Sequence, residues 1–143
     1  IRKRRAFVAA RRELALPDRP SRRATAAVAV SLLRSTLAFR GRPLFRLIEP
    51  LAPHGGSAAA PEDRLARAVA AARSAMPWIP FEGECLQRAF QLRRLLAERG
   101  MSVTWVFGVR TWPFAAHCWL QREDLVVGDT VERVSRYVPI MAV

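Results

Sequence analysis

Acidic residues are scarce in this sequence: 12 Asp and Glu stand against 24 Lys and Arg, giving a formal net charge of +12. Lysine is nearly absent as well, Lys3 being the one example, so the basic character is carried by arginine. Cysteine occurs twice, as Cys85 and Cys118. Two thiols exclude a disulfide framework and a four-ligand zinc site of the CxxC…CxxC kind, and they suit a reducing compartment such as the cytoplasm. No metal and no cofactor are expected. A long apolar run is also missing. The longest, Ala24 to Phe39 (ATAAVAVSLLRSTLAF), falls short of the roughly 20 residues of a spanning helix and contains Arg34, so it reads as a buried helix without stable membrane insertion. The opening IRKRRAFVAARRE breaks its short apolar patch with charge, which is not the layout of a secretory signal. The chain begins at Ile1 rather than methionine, as expected of a processed protein or a piece of a longer one.

What is present is a length of 143 residues, with hydrophobic residues making up 51%, enough for one domain with a real core. The positive charge is unevenly placed. Residues 1–46 hold thirteen Arg or Lys against Glu13 and Asp18, a net of +11, and the remainder is close to neutral. The sequence therefore divides into a basic N-terminal segment, residues 1–60, packed on or preceding a body formed by residues 61–143. Such a segment attracts phosphates or an acidic peptide through its field.

Periodicity supplies the elements. A helix over Ala24–Phe39 is stopped by Gly41 and Pro43, and a short helical run, LFRLIE, follows. The stretch PLAPHGGSAAAPED has loop composition and holds His54, a histidine with no suitable neighbours. Pro61, Glu62 and Asp63 open a further helix in which Leu65, Val69, Ala72 and Met76 recur at helical spacing until Pro77 breaks it. In FEGECLQRAFQLRRLLAERG, Leu86, Ala89, Phe90, Arg93, Leu95 and Leu96 form one face and Gly100 ends the helix. Cys85 falls in its first turn. From Met101 the period becomes two. SVTWVFGV, FAAHCWLQ and LVVGD read as strands joined by the short linkers RTWP and RED. Helices followed by an antiparallel meander define an α+β fold.

Within this layout three residues suggest chemistry. A helix N-terminus stabilises a thiolate through unpaired N–H groups and the positive end of the dipole, which makes Cys85 a candidate nucleophile and its backbone N–H a candidate oxyanion donor. A cysteine nucleophile needs an imidazole to take its proton and return it to the leaving amine, and His117 is the candidate. Strand alternation places His117 and Trp119 on one face, Ala116 and Cys118 on the other, so Cys118 is read as packing that points away from whatever His117 addresses. Asp129, at the exit of the next strand, is placed to bond the far imidazole nitrogen. Its rival Asp124 sits in the RED hairpin, where turns recruit Asp for their own backbone bonds.

The order Cys, His, Asp on a helix and two successive strands resembles the papain-like and transglutaminase-like arrangement. More closely, CLQRAFQLRRLLAERGMSVTWVFGVR, PFAAHCWLQ and VGDTVERVSRYVPI resemble the lasso-peptide biosynthesis B proteins. The matching positions are Cys85, Leu86, Arg88, Arg99, Gly100, Gly108, Val109, Ala116, His117, Trp119, Asp129, Tyr137, Pro139 and Ile140. The likeness is specific over residues 77–140 and weaker before them. It implies a transglutaminase-like cysteine endopeptidase, of the B2 leader-peptidase type, that removes the leader from a ribosomally made precursor peptide in antibiotic biosynthesis. Cys85 would be the nucleophile, His117 the general acid and base, and Asp129 its orienting partner. The implied partners are the precursor, a leader-recognition (RRE-type) protein or domain, and an asparagine-synthetase-like, ATP-dependent lasso cyclase. Residues 1–60 read as helices rather than the strands a recognition module needs, so that module is expected in a partner or upstream of Ile1.

Trp78, seven residues before Cys85, is a candidate side-chain oxyanion donor. Trp112 and Phe114 are candidates for the substrate groove, and Arg110 for facing an acidic leader. Two other functions fit parts of the pattern. An amide-transfer enzyme would keep the same three residues and change only what attacks the thioester. An arginine-rich module binding nucleic acid or acidic lipid would rest on residues 1–46, and leaves the Cys, His and Asp pattern unexplained; no nucleic-acid partner is therefore expected.

Overall fold

The chain is seen in a computed structural model, which describes residues 7–40, 42–48, 60–79 and 85–143. His54 and the loop around it lie outside the described residues. The elements in chain order are β1 (Arg12–Glu13), α1 (Arg22–Phe39), α2 (Leu44–Leu47), α3 (Glu62–Ala75), a 3-10 turn (Met76–Trp78), α4 (Cys85–Glu98), β2 (Thr104–Thr111), β3 (Phe114–Arg122), β4 (Leu125–Val127), α5 (Val131–Val134) and β5 (Val138–Ala142).

Local chemistry sets the helix boundaries. α1 begins two residues before the apolar run because the Ser21 hydroxyl accepts the Ala24 N–H at 3.1 Å, satisfying an otherwise unpaired donor. Pro61 stands at the N-cap of α3, with Glu62 and Asp63 against the positive end of the dipole. Pro77 ends α3 in the 3-10 turn.

The sheet has the order β1-β4-β3-β2-β5. β2, β3 and β4 form the expected antiparallel meander, while β5 returns beside β2 and β1 joins β4 in parallel. The fold is α+β, as the sequence predicts, with two edge strands added to the expected three. Alternation divides the sheet into two faces. Trp105, Cys118, Leu120, Leu125 and Val127 pack with Leu32, Leu65, Val69, Leu95 and Leu96 of α1, α3 and α4 in the main core. On the opposite face Val106, Trp119 and Val126 pack with Val134 and Tyr137 in a second, smaller cluster. α4 lies across β3, which brings the start of that helix over the strand that carries His117.

Arg93 was expected on the apolar face of α4, and it is 5% exposed there. Its guanidinium stacks 5.7 Å from the Trp105 ring centroid, and burial pushes its pKa down. Gln91 is also buried and donates from Nε2 to Thr36 Oγ1 at 2.5 Å, which joins α4 to α1 by a polar contact inside the core.

Candidate active site

Cys85 is the first residue of α4, His117 the fourth residue of β3, and Asp129 follows β4 and Gly128. The three lie on the wall of one cavity of about 830 Å³. Gly128 has φ +76°, a left-handed conformation that turns the chain after β4, and a Cβ there would meet Leu92 Cδ2 at 2.9 Å. That turn delivers Asp129 to His117. The imidazole Nε2 and Asp129 Oδ2 are 2.6 Å apart, with both side chains largely shielded from solvent. With Nε2 occupied, Nδ1 is the ring nitrogen left to the thiol. Asp129 is itself held, since Oδ1 accepts the Thr130 N–H at 2.8 Å and lies 3.6 Å from Arg133 Nη1.

Aromatic packing fixes the imidazole on its flanks. Its ring centroid lies 5.2 Å from Tyr137 and 6.1 Å from Trp119. Gly108, directly opposite His117 in the β2–β3 register, makes this possible. A Cβ at Gly108 would come within 2.9 Å of both the Trp119 ring and Tyr137 Cβ.

The electrostatics favour charge separation across the site. Burial alone pushes the Cys85 thiol up. It is outweighed by hydrogen bonds from the Cys118 backbone, the His117 ring and the Cys118 side chain, and by the imidazolium charge, so the Cys85 pKa lies below its usual value. The hydrogen bond to Asp129 raises His117; burial opposes this, and Cys85 and the Asp129 charge reinforce it. Burial pushes Asp129 up, but the hydrogen bonds from His117 and Thr130, with the His117 and Arg133 charges, bring its pKa down. All three directions favour a thiolate beside an imidazolium held by a carboxylate.

Cys118 departs from the sequence reading. Alternation does bury it in the helix-facing core, yet it does not point away from the site, because it lines the same cavity as Cys85 and His117 and lies close enough to Cys85 to influence its pKa. The start of α4 reaches over β3, and a helix-borne sulfur can meet the backbone of a strand residue whichever face its side chain takes. Burial, the largest cause, pushes the Cys118 thiol up to about 12, so it stays neutral.

The remaining candidates lie elsewhere. Trp78 is 83% exposed and does not line the cavity, although its neighbours Pro77 and Ile79 do. Trp112 and Phe114, 91% and 76% exposed, stand at the tip of the β2–β3 hairpin, also off the cavity wall. Arg110 lies over the Tyr137 ring at 5.6 Å, on the sheet face that carries His117. Asp124 pairs with Arg12 at 3.2 Å and takes no part in the imidazole bond. The sequence reading missed Glu13, Leu14 and Leu16 of the N-terminal segment, which line the cavity, and Arg133, whose spacing of four from Asp129 was a usable signal. Among the described residues no three His, Cys, Asp or Glu side chains converge as ligands for a metal ion.

A cysteine at the start of a helix, facing a histidine and an aspartate on the adjoining strands, is accompanied by a family match over most of the chain. Residues 28–142 match the Transglutaminase-like superfamily, and the chain belongs to it. Among curated proteins it is similar to the Microcin J25-processing protein McjB of Escherichia coli, with 37% identity over 49 residues. That alignment covers 34% of this chain and 24% of McjB, so the chain matches about a quarter of its relative's length. No solved structure matches the chain.

Proposed function

We propose that the protein is a cysteine endopeptidase that releases the leader from a ribosomally synthesised lasso-peptide precursor. The observation that carries this reading is the line Cys85, His117, Asp129 on the wall of one cavity, with His117 bonded to Asp129 at 2.6 Å through Nε2. The likeness to a protein named for processing microcin J25 supports the choice of substrate.

The Cys85 thiolate attacks the scissile carbonyl carbon, and the resulting oxyanion is met by N–H groups at the start of α4. The tetrahedral adduct collapses as the His117 imidazolium gives its proton to the leaving amine, leaving a thioester and a neutral imidazole. That imidazole then takes a proton from water, whose oxygen attacks the thioester, and the leader carboxylate departs as the thiol is restored. Asp129 keeps the proton on Nε2, so that Nδ1 exchanges protons with sulfur and substrate. The precursor arrives with a leader-recognition partner, and the freed core passes to a lasso cyclase.

Intact mass spectrometry of a cognate precursor, mixed with this chain and its recognition partner, tests the proposal. Leader release is expected with the unmutated protein and not with Cys85→Ala. Joining of the acyl fragment to an added amine instead of water would make the activity amide transfer. Release by Cys85→Ala would move the nucleophile elsewhere.

A further inference from the structure

The active-site cavity extends beyond the three proposed catalytic residues, between α3, α4 and the N-terminal segment, over an apolar floor that includes Leu16, Val69, Met76 and Leu92. Five charged side chains other than Cys85 and His117 line it. Three are engaged: Glu13 accepts the Val131 N–H at 2.8 Å, Asp129 holds His117, and Arg133 lies against Asp129. The other two are Arg73 and Arg88, both exposed and neither with a carboxylate or carbonyl partner among the described residues.

The contrast with their helix neighbours is informative. On α3, Arg64 donates to the Arg99 carbonyl and Arg67 pairs with Asp63; on α4, Arg93 lies on Trp105 and Arg94 pairs with Glu98. The arginines that face the cavity are those left open. Arg88 is three residues after Cys85, one turn along the same helix, where side chains are neighbours at about 5–6 Å between Cβ atoms. An extended peptide advances about 3.3 Å per residue. A guanidinium at that position therefore reaches side chains within about three residues of the attacked carbonyl.

We infer that this cavity selects a peptide carrying a carboxylate side chain within about three residues of the cleaved bond, beside an apolar residue, with Arg73 and Arg88 as the groups that read the carboxylate. The inference names the substrate chemistry of the site and rests on the peptidase reading for what happens next. An acidic side chain bonded by a planar guanidinium gains a charge-assisted contact, and its apolar neighbour covers the floor beneath.

Binding and cleavage test it separately. Three short fluorescein-labelled peptides, identical apart from Glu, Gln or Lys at one position that is walked along the chain, are bound to Cys85→Ala protein and followed by fluorescence anisotropy. The Glu peptide is expected to bind about tenfold tighter than the Gln peptide for each guanidinium engaged. Arg73→Ala with Arg88→Ala should abolish that preference, and Arg88→Glu should turn it toward the Lys peptide. Thermal unfolding of each variant checks that the fold is kept. Equal binding of the three peptides, no binding of the Glu peptide, or a preference that survives the double substitution overturns the inference. Cleavage of the same peptides by unmutated protein without regard to charge would leave the peptidase reading standing and remove this inference. Charge-selective binding with no cleavage would do the reverse.

Discussion

Asp129 accepts from His117 on one oxygen and from the Thr130 backbone on the other, so its carboxylate has little rotational freedom. In the proposed mechanism a fixed carboxylate holds the imidazole in the tautomer whose Nδ1 serves the thiol. Because Cys85 lies below its usual pKa and His117 above, the thiolate and imidazolium coexist between two apparent values that belong to the pair. The profile of kcat/KM against pH should rise on a limb below the ordinary thiol value and fall on a limb above the ordinary imidazole value. Asp129→Asn removes the largest influence raising His117, so the alkaline limb should move to lower pH, and kcat should fall by about 10²-fold or more. An unmoved alkaline limb would remove Asp129 from the mechanism. The convergence of Cys85, His117 and Asp129 was legible because helix, strand and strand exit followed from period and turn residues. The place of Cys118 in the cavity wall beside Cys85 was not, since alternation reports side-chain faces and says nothing of which strand residues the start of a neighbouring helix will meet.

The short connection after β4 does more for the site than its three-residue strand suggests. Gly128 takes φ +76° under Leu92, so any side chain there adds backbone strain to a contact of 2.9 Å with Leu92 Cδ2. Gly128→Ala should lower unfolding stability by about 1–3 kcal/mol in urea titration, and should lower activity further by displacing the adjacent Asp129. A stability change within a few tenths, with full activity, would mean that the turn relaxes without moving the carboxylate. The sequence made this meander readable through its β-branched and aromatic runs. It did not make β1 or β5 readable. β1 is two residues that pair in parallel with β4, a partner more than a hundred residues away, and no local period encodes that. β5 carries Pro139 and a register shift opposite Phe107 and Gly108, both of which blur a strand pattern. The consequence is that residues 12–16 were read only as part of a basic segment, although Glu13, Leu14 and Leu16 form part of the cavity wall.

A net charge of +12 on 143 residues gives the molecule a field that acts before any contact forms. A quarter of it lies on α1, where Arg22, Arg23 and Arg34 are exposed and make no ion pair among the described residues. If the substrate is acidic near its cleaved bond, encounter is steered by this field and chemistry is not. kcat/KM for such a peptide should therefore fall as ionic strength rises through about 0.1 M, where screening shortens to about 10 Å, while kcat stays constant. Replacing Arg22, Arg23 and Arg34 together by Gln should flatten that dependence without altering kcat, because none of the three lines the cavity. Arg73→Ala with Arg88→Ala should instead raise KM at every salt concentration. The two responses separate a distributed charge that gathers substrate from a local pair that recognises it. A salt dependence in kcat/KM equally steep in the α1 variant would place the steering charge outside α1. A steep dependence found only for nucleic acid binding, with none for peptide turnover, would give the arginine-rich segment a separate purpose.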